Sequence, residues 1–114
     1  MDYSNTQQVH RKAMILAQDA YVSLSQGDEA TALHLYEAAF ELEREAALSL
    51  VSEESKEPTR SVLFRSAASL AIKCKKFREA EKMFALGLAG NPPDEIANEL
   101  RDYMKILIFS VTLN

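Results

Sequence analysis

Shifting the chain by 48 residues against itself superposes one pattern on another. Leu16 falls on Phe64, Ala20 on Ala68, Leu24 on Ile72, Ala32 on Ala80, Tyr36 on Phe84, Ala39 on Gly87 and Phe40 on Leu88. Small residues meet small ones, and bulky apolar residues meet bulky ones. A self-similar period of this order marks supersecondary units that bury their apolar faces by stacking. Within each copy the apolar steps are three and four, the spacing of one helical face. Val9, Ala13, Leu16, Ala17, Ala20 and Leu24 predict a first helix over about 5–25. Gln26-Gly27-Asp28 breaks it: Gly supplies a left-handed C-cap and Asp28 an N-cap for the next helix. Ala32, Leu35, Tyr36, Ala39, Phe40, Ala46, Ala47 and Leu50 predict a second helix ending near Val51.

The first hairpin is therefore about 5–51, followed by a polar linker, SEESKEP, at 52–58. Pro58 suits the start of a third helix. Phe64, Ala67, Ala68, Ala71 and Ile72 form that helix's apolar face, and Lys75-Lys76 makes a turn without Gly. Phe77, Ala80, Phe84, Gly87 and Leu88 carry a fourth helix, so the second hairpin is about 59–90. Asn91-Pro92-Pro93-Asp94 reads as a cap with Pro at the first helical position and acids in the first turn. Ile96, Leu100, Tyr103, Met104 and Leu107 complete a fifth helix over about 92–109. With 3 Gly and 3 Pro in 114 residues, and no sustained alternation, a sheet of many turns is excluded. The expectation is one all-α domain over 1–114.

These residues resemble the tetratricopeptide repeat. That family's unit has a large apolar residue, a small one four later, a turn, then Ala, an aromatic four later and a small residue three later. The first unit supplies Leu16, Ala20, Gly27-Asp28, Ala32, Tyr36 and Ala39. The second, from about Ser61 to Asp94, supplies Phe64, Ala67, Ala68, Phe77, Ala80, Phe84, Gly87, Leu88 and Pro92. The resemblance covers about two-thirds of the chain. It implies a right-handed superhelix of two helix–turn–helix hairpins with a C-terminal capping helix. The chain departs from the family in its spacing of 48 rather than about 34, and in Asp19, which stands where the second unit has Ala67. The first hairpin alone also looks like the three-helix trafficking domain.

The resemblance further implies a groove along the first helix of each unit, lined by Met14, Gln18, Tyr21, Ser25, Arg65, Ser69 and Lys73. Arg65, Ser69 and Lys73 share a stripe on spacing alone, at i, i+4 and i+8. Two cations and a hydroxyl there suit an acidic peptide or a carboxylate. The family's chaperone-tail site needs Asn on this stripe, where the chain has Ser69 and Tyr21. The implied function is a non-catalytic interaction module or small adaptor that binds a partner's peptide or helix.

Net charge is −4, but it is segregated. Asp28–Glu57 holds nine acids against two bases; Arg60–Lys82 holds seven bases against two acids. Pairing between the blocks, within the molecule or across a dimer, is the expected use. Lys73, Lys75, Lys76 and Arg78 surround one aromatic, Phe77, which the repeat pattern is expected to bury, and this argues against nucleic acid. Glu37, Glu41 and Glu45 form a like-charged ladder that reads as a solvated face, and His34 precedes Glu37 in the wrong order for a carboxylate metal pair. His10 and His34 have no Cys or Ser partner at a recognisable spacing. Cys74 lies beside Lys73, Lys75 and Lys76, cations of the kind that lower a thiol pKa, but the expectation is a partly buried, hydrophobe-like Cys. There is no phosphate loop, nucleophile elbow or dinucleotide fingerprint, so no catalytic residue, metal or cofactor is expected. The run Ile106–Leu113 lacks a polar face; Ile106, Ile108 and Phe109 either fold back onto helices three and four or join two copies in a homodimer. No run approaches a membrane span and no signal-peptide core opens the chain, so a cytoplasmic location is expected.

Overall fold

The turn between the first two helices and the turn between the third and fourth are built alike. The Gly27 amide donates to Leu24 O at 3.0 Å and the Asp28 amide to Ser23 O at 2.9 Å. At the second turn the Lys75 amide donates to Ile72 O at 3.0 Å and the Lys76 amide to Ala71 O at 2.8 Å. This paired bonding caps the last carbonyls of a helix and places its central residue in the left-handed region. Gly27 has φ 83° and Lys75 φ 63°. Glycine adopts this conformation freely, whereas an L side chain is disfavoured there by about 1–2 kcal/mol.

The computed structural model describes residues 1–113, with side chains through Val111. Among the described residues the fold is all-helical, with no strand. Its helices are α1 (Tyr3–Ser25), α2 (Glu29–Ser49), α3 (Thr59–Lys73), α4 (Phe77–Leu88) and α5 (Asp94–Leu113), with a single 3-10 turn at Glu54–Lys56. The ends of α1 and α3 are displaced by 48 residues, as are the starts of α2 and α4. The self-similarity in side chains is therefore also one of helix boundaries. Asp2 and Asp28 cap α1 and α2 by accepting from the amides of Asn5 and Thr31. Asp28's carboxyl is held below its ordinary range by the Thr31 hydroxyl and amide.

Each helix packs on the next, and α5 also touches α3. The molecule measures 41 × 37 × 20 Å, and 20 Å is two helix diameters, so it is a slab of two helix layers. Phe40, Phe64, Phe84, Met83 and Leu100 are buried at its centre, with Ala20, Ala32, Ala39, Ala68 and Ala80 at the close helix contacts. Gly87 is small for the same reason: a Cβ there would lie 3.1 Å from both Phe64 Cβ and Leu100 Cδ1.

Two boundaries differ from the sequence reading. Pro58 and Pro93 stand just before α3 and α5, their carbonyls accepting the first helical bonds from Val62 and Ala97. The fifth helix begins at Asp94 and runs to Leu113, past the expected 109. No Gly or Pro follows Pro93 to stop it. The apolar tail folds back only in part. Leu107 is buried, whereas Ile106, Ile108 and Phe109 are exposed, Ile106 by 63% and Phe109 by 66%. The Leu113 side chain lies outside the described residues.

Candidate groove between the first, third and fifth helices

A groove of about 530 Å³ opens between α1, α3, α4 and α5. Of the residues singled out in sequence, Met14, Arg65, Ser69 and Lys73 meet there. Gln18, Tyr21 and Ser25 are exposed on α1 but do not line it; Tyr21 is 66% exposed, and the Ser25 hydroxyl turns back to Val22 O at 2.7 Å. The α1 stripe is thus out of line with the α3 stripe beyond Met14. The remaining lining is Ala17, Ser66, Leu70, Ile72, Phe84 and Tyr103. Phe84 and Tyr103 stack at 6.3 Å between ring centroids with 21° between planes, making an aromatic wall. Tyr103 comes from the helix outside the repeat, so no register in the sequence pointed to it.

The cations of the groove differ in state. Arg65 is paired with Glu99 of α5, which ties α3 to α5 and neutralises that end. Among the described residues Lys73 has no carboxylate within ion-pair distance. Its ammonium lies 5.8 Å from the centroid of the Tyr36 ring, a cation–π position. Apolar walls with one uncompensated cation at the mouth suit a segment that is mostly apolar and carries a negative charge.

The acidic and basic blocks do not pair as expected. Among the described residues only Glu57–Arg60 pairs an acid of the first block with a base of the second. Arg44 of α2 instead binds Glu41 on its own helix and lies 3.6 Å from Glu79 of α4, a base of the acidic block meeting an acid of the basic one. Arg60 is no surface cation: it is 1% exposed. Its Nε donates to Val51 O at 2.9 Å, and its terminal nitrogens donate to Leu86 O at 2.6 Å and Gly87 O at 3.2 Å. It thereby satisfies carbonyls at the C-terminal end of α4, which would otherwise lack partners. Glu57 balances it and accepts from the Ser61 and Asn91 amides.

A second buried group also escaped sequence reasoning. Glu43 of α2 is fully buried, and His10 Nδ1–H donates to its two carboxylate oxygens at 2.9 Å each. Burial pushes the Glu43 carboxyl up, against the opposing pull of the Ser66 hydroxyl and His10. The i, i+4 ladder drew attention to Glu37, Glu41 and Glu45, whereas the buried acid lies between them. Cys74 follows the expected buried, hydrophobe-like reading. It is buried, its Sγ–H reaches Ala71 O at 3.5 Å, and burial raises its pKa above the usual thiol value despite Lys76 nearby. Among the described residues no cluster of three or more His, Cys, Asp and Glu is placed to hold a metal ion, and no helix is long and apolar enough to cross a membrane.

Compared with known proteins, the chain matches no protein-family model, no curated protein and no solved structure.

Proposed function

We propose that this chain is a non-catalytic interaction module of tetratricopeptide-like construction, acting in the cytoplasm. It holds a linear or helical segment of a protein partner in the groove between α1, α3 and α5. The observation that carries this reading is the joining of Met14, Arg65, Ser69 and Lys73 with the Phe84–Tyr103 wall in one hollow of about 530 Å³. Helix-borne walls keep that shape without the partner, so little ordering cost falls on binding. The shared helix boundaries at a spacing of 48 residues support the repeat construction. A photo-reactive amino acid at Ser69, with the exposed Arg11 on α1 as the control position, tests it. Cross-links to a defined segment of one partner from position 69 alone are expected. Equal, scattered cross-linking from both positions overturns the reading.

A second reading is a homo-oligomer assembled through α5. The exposure of Ile106, Ile108 and Phe109 on one helix favours it. Sedimentation of the chain beside the Ile106→Glu, Phe109→Glu variant decides it: a dimer in the parent and a monomer in the variant support self-association, and a monomer in both removes it.

A further inference from the structure

Lys75 occupies a backbone position that its repeat counterpart fills with Gly27. Left-handed φ at that point of the cap favours glycine, and a lysine there is strained. Nothing local compensates: among the described residues no carboxylate lies within ion-pair distance of its ammonium. The side chain instead lines a hollow of about 490 Å³ with Leu24, Leu33, Tyr36, Glu29 and Lys73. Lys73 lines the main groove as well, so the two hollows meet at it. The cation–π contact to Tyr36 holds the Lys73 ammonium over the join.

We infer that Lys73 and Lys75 together receive one carboxylate side chain of a bound peptide, with an apolar residue of that peptide in the hollow on either side. This deepens the groove reading above and rests on it. Charge complementarity selects the occupant. Lys73 lines both hollows and Lys75 one of them, while Glu29 lines the same hollow as Lys75 and Glu99 pairs with Arg65 in the other. A strand carrying phosphate at every residue would meet those acids, and both hollows are mainly apolar. A peptide with a single acid between apolar residues meets neither obstacle.

The full chain, labelled with nitrogen-15, is titrated with the blocked peptide Ala-Leu-Leu-Glu-Leu-Leu-Ala, its Gln counterpart and a short oligouridylate. Saturable amide shifts at Leu33, Tyr36 and the Ile72–Lys76 turn are expected with the Glu peptide. Binding of the Gln peptide is expected to be about tenfold weaker. Lys75→Gly is expected to raise the thermal midpoint, since it removes the strain, yet to weaken the Glu peptide about tenfold. Equal binding of the Glu and Gln peptides overturns the inference, as does unchanged affinity in Lys75→Gly or tighter binding of the oligouridylate. Shifts confined to Met14 and Ser69, insensitive to Lys75→Gly, overturn it while leaving the groove in place. No saturable shift with the Glu peptide overturns both.

Discussion

Arg60 and Glu43 are buried charges, and each is tolerated because its surroundings satisfy it. Removing a partner from such a group costs more than the group contributes when paired. Arg60→Ala leaves the carbonyls of Val51, Leu86 and Gly87 short of a donor and Glu57 short of its counter-charge. A loss of about 3–5 kcal/mol in urea unfolding is expected. Glu43 makes stability depend on pH. Its folded pKa is raised from 4.5, so the folded state holds that proton more readily than the unfolded chain. Its contribution is fully present below 4.5 and is lost as pH rises through the raised value. Denaturation of the parent and of Glu43→Gln across this range is expected to show the fall in the parent and a flatter profile in the variant. Neither role was legible in sequence. An arginine in a basic run and a glutamate among four other acids of one helix look like solvated charges until the tertiary packing places carbonyls and a histidine beside them.

Among the helices, the repeat was the most legible feature, because close helix packing forces small residues to fixed positions. Ala20, Ala68, Ala32 and Ala80 are all buried, as the superposed pattern requires. Gly87 sits at a close contact with Phe64 and Leu100. Gly87→Ala is expected to cost about 1–3 kcal/mol by thermal or urea unfolding, because Phe64 Cβ has no flexible end to yield. Gly27→Ala differs: no atom lies within 4 Å of the added carbon, and only the left-handed φ is strained. A smaller loss of about 1 kcal/mol is expected there. In α5 the sequence showed an apolar run without saying which side is buried. α5 packs on α4 and α3, and Leu107 joins the core while Ile106, Ile108 and Phe109 stay outside. Leu107→Glu is therefore expected to unseat α5 and lower the thermal midpoint, while Ile106→Glu leaves it close to the parent's.

At the scale of the whole molecule, a slab 20 Å thick offers broad faces and little depth. Such a shape suits recognition along a surface groove more than enclosure of a small molecule. Four of the ten residues lining the groove were named for it from the sequence. The α3 stripe of Arg65, Ser69 and Lys73 follows from helical spacing alone and does line the groove. The α1 stripe was displaced because the angle between helices is set by packing and cannot be counted along a chain. Net charge of −4 hides a local feature: among the described residues Lys73, Lys75 and Lys76, at the end of α3 and in the turn after it, have no carboxylate within ion-pair distance.

Partner capture by the parent chain and by a folded Ser69→Trp, Lys73→Glu variant tests the groove most directly. Both substitutions fall at exposed positions of α3, so helicity and thermal midpoint are expected to match the parent. A partner retained by the parent and lost from the variant is the expected result. The same partner retained equally by both would contradict binding in this groove.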